Sequence, residues 1–201
     1  MAAFAAAVLA GGAARRMNGV HKPALPVAGR AMLHRVLAAV APADPCVVVG
    51  PRTDVAVPGA VRWIREDPPG GGPVAAIAAG IELLDPGAQL VAVLAADLPL
   101  LTTPAVLRLY DAVHASTSDG AVYVDDDGRR QSLCGMWRVG PLRAALARLA
   151  AARPEGLAGA SMRGLLGGLT VAEIAWPGSG PPPWFDCDTD ADLRRAEEWA
   201  R

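Results

Sequence analysis

Several features that are common in other proteins are scarce in this sequence, and each scarcity excludes a class of function. No charge-free stretch approaches the roughly 20 apolar residues that a membrane span needs, although 52% of the residues are hydrophobic. The net charge of −1 provides no basic field that would attract nucleic acid. We therefore expect neither a membrane protein nor a nucleic-acid-binding protein.

Cysteines are also few and isolated. Cys46, Cys134 and Cys187 are odd in number and far apart, and no Cys-x-x-Cys pair occurs, so neither a zinc site nor a disulfide framework is supported. The apolar run Ala2–Ala10 lacks the positively charged segment that opens a signal peptide. These absences predict a protein of the reducing cytoplasm.

Lysine is scarcer still, because Lys22 is the one lysine among 19 strongly basic residues. It closes a segment, LAGGAARRMNGVHKP, that follows an apolar run at residues 9–23. The segment matches neither the Rossmann fingerprint nor the Walker A motif. Its paired glycines let the backbone N–H groups approach anionic oxygens, and Arg16 and Lys22 add mobile positive charge. The segment therefore predicts a phosphate-binding loop; the alternative is a tight strand-to-helix turn with solvated cations.

Apolar runs that alternate with helical patterns predict an α/β domain with a mainly parallel sheet. The first half contains predicted strands at Phe4–Leu9, Cys46–Val49, Val61–Ile64 and Leu90–Ala95, and predicted helices at Ala31–Ala41, Val74–Leu84 and after a Thr103 cap. The second half contains a predicted hairpin of Ala121–Val124 and Ser132–Val139, helices at Pro141–Ala152 and Ser161–Leu166, a strand at Thr170–Ala175 and a last helix opened by a Thr189–Asp192 capping box. At 201 residues the chain is expected to form a single domain.

Acidic residues follow several predicted strands. Asp97 lies just past the carboxyl end of a buried strand, where ligands of parallel sheets collect, and it is well placed to hold Mg²⁺. Asp67 lies beside a Gly-rich loop; either aspartate could instead belong to a turn. Asp188 is either a second metal ligand or part of a helix N-terminus. The acidic turn Asp125–Gly128 suggests calcium, but its composition is typical of ordinary turns.

Six segments occur in an order that is specific when they are taken together. They are Leu9-Ala10-Gly11-Gly12 with Arg16-Met17 and Lys22-Pro23; Leu25-Pro26-Val27-Ala28-Gly29; Glu66-Asp67 with Gly72-Pro73-Val74-Ala75-Ala76-Ile77; Ala96-Asp97-Leu98-Pro99-Leu100-Leu101; Gln131-Ser132-Leu133-Cys134; and Asp186-Cys187-Asp188-Thr189 with Asp192-Leu193. Over nearly the whole chain this series resembles the molybdenum cofactor guanylyltransferase family, the MobA-like nucleotidyltransferases. Asn18, Ala96 and Ala191 depart from the family's Gly, Cys and Pro, and none of these changes removes a charged group.

The resemblance implies a Rossmann-like nucleotidyltransferase fold, a mainly parallel sheet flanked by helices with a small antiparallel portion. It also implies roles for particular residues. Leu9, Ala10, Gly11 and Gly12 would contact the nucleotide, Lys22 its phosphates and Asp67 the nucleoside, while Asp97 would bind Mg²⁺. Arg52 falls at a nucleotide-contact position where the family's Asn is absent.

The activity implied by the resemblance is transfer of GMP from GTP to molybdopterin-bound molybdenum cofactor, with Lys22, Arg16 and Asp97 as the catalytic residues. Molybdoenzymes or other cofactor-biosynthesis proteins would be the protein partners. Two alternatives remain open from the residues alone. One is a related transferase that uses CTP or another phosphorylated acceptor; the other is a nucleotide-binding regulatory protein without turnover.

Overall fold

The computed structural model describes residues 4–11, 22–177 and 180–201. The strands are β1 (Ala5–Leu9), β2 (Pro26–Val27), β3 (Arg30–Ala31), β4 (Cys46–Val49), β5 (Arg62–Ile64), β6 (Leu90–Ala95), β7 (Gly120–Val124), β8 (Arg130–Arg138) and β9 (Val171–Ala175). The α-helices are α1 (Met32–Ala39), α2 (Pro73–Glu82), α3 (Thr103–His114), α4 (Val139–Ala151), α5 (Met162–Leu166) and α6 (Asp190–Trp199).

Seven strands form one sheet in the order β5-β4-β1-β6-β8-β7-β9, and β2 and β3 pair as a separate small ribbon. Strands β5, β4, β1 and β6 are mutually parallel, and β9 is parallel to β7. Strand β8 runs antiparallel to both of its neighbours. The predicted fold class, a mainly parallel sheet with a small antiparallel portion, is confirmed.

Helices cover both faces of the sheet because the central strands are apolar on both sides. Along β1, Ala6 and Val8 pack into the core beneath α1 and α3, whereas Ala5, Ala7 and Leu9 pack into the core beneath α2, α4 and α5. A smaller third cluster joins Cys187 to α6 and to the β2–β3 ribbon. This cluster holds the start of α6 beside the carboxyl end of the sheet.

Element boundaries differ from the predictions by a few residues, and one difference has a clear cause. Thr102, and not Thr103, is the N-cap of α3, because the Thr102 hydroxyl accepts a hydrogen bond from the Ala105 amide at 3.4 Å. Strand β8 begins earlier than predicted, at Arg130, and Val139 belongs to the next helix. The predicted capping box of α6 is confirmed: the Thr189 and Asp192 side chains each accept from the other residue's backbone.

No helix within the described ranges is both long and apolar enough to cross a membrane. In the acidic turn, one carboxylate oxygen of Asp125 accepts from the amides of Asp127 and Arg129 at 3.1 and 2.8 Å. This carboxylate therefore closes the turn by local hydrogen bonds, as an aspartate at the first position of a turn commonly does.

Candidate active site

The carboxyl end of β1 forms the floor of the candidate site. The Ala10 amide donates to the Val49 carbonyl at 2.8 Å, and the Leu9 carbonyl accepts from the Ala96 amide at 3.0 Å, so both flanking strands hold this end in place. Leu9 and Ala10 are buried, and the chain reaches the surface at Gly11. Gly12 and Arg16, which the sequence also assigned to nucleotide binding and catalysis, lie outside the described residues.

Lys22 lies between two carboxylates that are far away in sequence. Its ammonium donates a hydrogen bond to Asp97 Oδ2 and another, at 2.8 Å, to Asp188 Oδ1. The side chains of Lys22 and Asp97 are 18% and 23% exposed, whereas that of Asp188 is 48% exposed. The structure thus brings together three residues that the sequence predicted separately, with the Lys22–Asp97 pair as the more protected contact.

The charge state of Lys22 follows from this setting. Partial burial alone would lower the pKa of the Lys22 ammonium, but hydrogen bonds and charge attraction from Asp188 and Asp97 outweigh that effect and leave the pKa raised. The nearby Asp186 has its pKa raised, first by desolvation and then by repulsion from Asp188 and Asp97. Negative charge is therefore concentrated here, and Lys22 compensates it.

Two different segments position the aspartates. Asp97 follows β6, and its carbonyl accepts from the Cys187 amide at 3.4 Å, which ties the 186–188 segment to the end of β6. Helix α6 is capped by Thr189, and the Asp188 amide donates to the Asp192 carboxylate at 3.1 Å. Because other groups cap the helix, the Asp188 carboxylate remains directed at Lys22.

Asp67 and Arg52 lie at the surface of the same edge of the sheet. Asp67 follows β5 by three residues and is exposed, and Arg52, just past β4, is also exposed. Their predicted contacts with the nucleoside therefore remain predictions.

Two further residues at this edge were missed by the sequence analysis. Glu66, beside Asp67, is only 6% exposed and is the one buried charged side chain in the described part of the chain. Gly50 has φ of +151°, and a Cβ there would lie 2.7 Å from the Ala10 carbonyl carbon and 2.8 Å from the Gly11 nitrogen. The glycine after an apolar strand and the glutamate within the Glu-Asp pair were the available signals.

A lysine and two aspartates gather near Gly11 at the carboxyl edge of a mainly parallel sheet, which is where open α/β sheets bind their ligands. The chain belongs to the MobA-like NTP transferase family, whose sequence model matches residues 6–167, and it is therefore a nucleotidyltransferase. The family resemblance seen in the sequence is confirmed.

Full-length relatives refine that assignment. The chain is 33% identical to a molybdenum cofactor guanylyltransferase of Bradyrhizobium sp., over 96% of this chain and 91% of that protein. It is 31% identical to a molybdenum cofactor guanylyltransferase of Rhodobacter capsulatus, over 98% of this chain and 97% of that protein. Both alignments include the Lys22, Asp97 and Asp188 regions, since they span nearly the whole chain.

Solved structures support the fold. The molybdopterin-guanine dinucleotide biosynthesis protein A of Archaeoglobus fulgidus superimposes with a TM-score of 0.74 at 21% identity, covering 97% of each chain. The 2-C-methyl-D-erythritol 4-phosphate cytidylyltransferase of Thermus thermophilus gives a TM-score of 0.69 at 22% identity, covering 98% of each chain. The same architecture thus occurs in proteins whose names specify different nucleotides, so the fold alone does not determine which nucleotide is bound.

Proposed function

We propose that this protein transfers GMP from GTP to molybdopterin-bound molybdenum cofactor and releases pyrophosphate. Family membership and the full-length guanylyltransferase relatives support the reaction. The observation that carries the proposal is the Lys22 ammonium held between the carboxylates of Asp97 and Asp188, beside the exposed end of β1. A mobile cation and two carboxylates that could hold a metal ion, beside the surface-exposed Gly11, support a role in binding the phosphates of a nucleotide.

The proposed reaction needs positioning and charge neutralisation more than proton transfer. An oxygen of the acceptor phosphate attacks the α-phosphorus of GTP, the bond to the bridging oxygen of the β-phosphate breaks, and pyrophosphate leaves with that electron pair. Because the acceptor phosphate is already ionised at neutral pH, no general base is required. His34 and His114 have other contacts: a ring nitrogen of His34 lies 2.8 Å from the Ala56 carbonyl oxygen, and His114 stacks on Tyr110.

The carboxylates at this edge fit a magnesium ion. Asp97 and Asp188 already bind one cation, the Lys22 ammonium, through carboxylate oxygens, which are the ligands that Mg²⁺ prefers. No group of three or more acidic, histidine or cysteine side chains forms a metal cage within the described residues, so substrate phosphates and water would complete the coordination. When bound, Mg²⁺ would neutralise charge on the reacting phosphates.

Once the carboxylates hold the metal, the Lys22 ammonium would donate hydrogen bonds directly to the phosphates. Its compact ammonium on a flexible stem can turn from Asp97 towards a phosphate oxygen without leaving the site. Gly11 would offer its backbone to the nucleotide above the floor formed by Leu9 and Ala10, and Arg16 would stabilise negative charge in the transition state.

The test is pyrophosphate release from each of GTP, ATP, CTP and UTP, with Mg²⁺ and molybdopterin-bound molybdenum cofactor. We expect turnover with GTP alone, loss of turnover when Mg²⁺ is chelated, and a product carrying GMP by mass spectrometry. Turnover with CTP in preference to GTP would contradict the proposal while leaving the nucleotidyltransferase assignment intact.

We also propose that the protein acts in the cytoplasm and delivers its product to molybdoenzymes or to other cofactor-biosynthesis proteins. The free thiols of Cys46, Cys134 and Cys187 suit a reducing compartment.

A further inference from the structure

Glu66 carries a buried oxygen that lacks a hydrogen-bond partner among the described residues. The side chain is 6% exposed; its Oε1 accepts from the Gly70 amide at 3.0 Å, whereas its Oε2 is buried without a donor. A buried polar atom without a partner loses its hydration and gains nothing in return, so such atoms are rare in folded proteins. A ligand that donated a hydrogen bond to Oε2 would remove this cost.

The position of the carboxylate points to the ligand. Glu66 lies beside Gly11: a Cβ built at Gly11 would lie 3.3 Å from Oε1 and 3.5 Å from Oε2. The sheet order β5-β4-β1-β6 places the segment after β5, which carries Glu66, on one side of β1 and Asp97 on the other. Gly11 therefore lies between the phosphate-side cluster of Lys22, Asp97 and Asp188 and the carboxylate of Glu66.

A nucleoside triphosphate that lies along this edge, with its phosphates at Lys22, directs its nucleoside end towards β4 and β5. The Glu66 carboxylate lies beside Gly11, which follows β1, and Asp97 follows β6, the neighbouring strand. A nucleotide that lies across this edge would therefore pass over Gly11 between Asp97 and Glu66.

We infer that Glu66 reads the guanine base, accepting hydrogen bonds from its N1–H and exocyclic N2 amino groups. This inference rests on the proposed guanylyl transfer and adds a specificity-determining residue to that site. The Watson–Crick edge of guanine offers two adjacent donors that match the two oxygens of one carboxylate, and Oε1 keeps a second lone pair beside its bond from Gly70.

The other bases fit this carboxylate poorly. Adenine and cytosine each present a ring-nitrogen lone pair beside their amino group, and that lone pair would face the carboxylate. Uracil presents a single N–H between two carbonyl oxygens. A site built to accept hydrogen bonds rejects ligands that leave its buried acceptor unpaired or opposed by a lone pair. Ribose hydroxyls are the other donors of a nucleotide, and the experiment separates them from the base.

The experiment replaces Glu66 by glutamine and measures binding of GTP, ITP and 2′-deoxy-GTP by calorimetry with Mg²⁺. ITP retains N1–H but lacks the N2 amino group, so it reports on the base, whereas deoxy-GTP reports on the ribose. Glu82→Gln is the matched control, because Glu82 is exposed on α2. We expect wild-type affinity in the control and about a 10- to 100-fold loss of GTP affinity in Glu66→Gln. The GTP-to-ITP ratio should fall towards one in that variant.

A second measurement excludes a merely structural role. Glutamine keeps the size of the side chain and an oxygen for the Gly70 amide, and it removes a buried charge, so Glu66→Gln should melt at or above the temperature of the wild type without nucleotide. A lower melting temperature with equal weakening of all three nucleotides would overturn the inference. An unchanged GTP-to-ITP ratio with a lost GTP-to-deoxy-GTP ratio would also overturn it, since the ribose would then be the donor.

The nucleotide affinities of the wild type show whether the proposed function or the role of Glu66 has failed. If the wild type binds CTP as tightly as GTP, the proposed guanylyl transfer fails before any variant is considered. If the wild type prefers GTP and Glu66→Gln keeps that preference, the function stands and the role of Glu66 is wrong.

Discussion

The two ends of the candidate site differ in how their charges are satisfied. At the phosphate-side cluster, Lys22 pairs with Asp97 and Asp188, all three side chains are partly exposed, and each charge has an opposite charge beside it. At the Glu66 end, a buried carboxylate has one oxygen without a partner in the described chain. A partly exposed ion pair can exchange partners more readily than a buried one, whereas a buried acceptor without a partner favours a ligand that donates a hydrogen bond to it. If both proposals hold, the neutralisation of phosphate charge and the selection of the base depend on segments that follow different strands of one sheet.

The largest effect on activity should come from Asp97→Asn, which removes a carboxylate from the phosphate-side cluster. A neutral amide is a poor ligand for a hard cation and also weakens the contact with Lys22, so turnover should fall by about 10³-fold or more while the fold is kept. Rates across a Mg²⁺ titration, read beside thermal melts, check this. A variant whose folded fraction reacts normally would show that Asp97 is structural.

Lys22 variants should have the next largest effect. Lys22→Ala removes the charge, and Lys22→Arg replaces a compact ammonium on a flexible stem by a larger planar fork with a different hydrogen-bond geometry. We expect kcat/KM to fall by an amount equivalent to about 2–4 kcal/mol in the alanine variant, and a clear loss in the arginine variant. Steady-state kinetics with GTP measure both. Wild-type kcat/KM in Lys22→Ala would contradict the assignment, and full activity in Lys22→Arg would reduce the role of Lys22 to its charge.

Much of this architecture could be predicted from the sequence because the parallel strands are short apolar runs that end at Gly, Pro or Asp. Cys46–Val49 and Leu90–Ala95 were predicted with the observed bounds. The cap of α3 was misplaced by one residue because Thr102 and Thr103 are adjacent, and only the hydrogen bond to Ala105 distinguishes them.

The site could be predicted less completely because its contacts are long-range. Lys22 lies 75 residues from Asp97 and 166 from Asp188, and no local pattern measures those separations. Glu66 was missed because its burial depends on how the segment after β5 approaches Gly11 across β4. The sequence motif led to the prediction that Asp67 contacts the nucleoside. Asp67 is exposed, whereas the neighbouring Glu66 is buried.

Gly50→Ala should disturb the backbone that lies between the Lys22 cluster and Glu66, and it therefore tests whether the two ends of the site depend on each other. Its Cβ would lie 2.7 Å from the Ala10 carbonyl carbon, and its φ of +151° disfavours any side chain. Because neither backbone can yield without moving the end of β1, we expect the free energy of unfolding to fall by about 1–3 kcal/mol, with weaker nucleotide binding. Gly59→Ala is a useful control: Gly59 also has positive φ, but a Cβ there meets nothing within 4 Å. Denaturant unfolding compares a crowded glycine with an uncrowded one, and a loss in Gly50→Ala no larger than that in Gly59→Ala would show that the close contact costs little.

Asp188→Ala should have the smallest effect, and it tests whether the second carboxylate belongs to the metal site or to the helix. Its side chain is 48% exposed, so its pairing with Lys22 is screened by water more than that of Asp97. We expect a several-fold loss of Mg²⁺ affinity in the presence of GTP, about 1 kcal/mol, with little change in melting temperature. Helix α6 should stay intact because Thr189 and Asp192 form its capping box.

Thr189→Ala is the control for Asp188→Ala, since loss of the Thr189 cap should lower the free energy of unfolding by about 1 kcal/mol. If Asp188→Ala instead lowers stability by that amount and leaves Mg²⁺ affinity unchanged, Asp188 supports the helix N-terminus, and Asp97 alone carries the metal role proposed for the phosphate end.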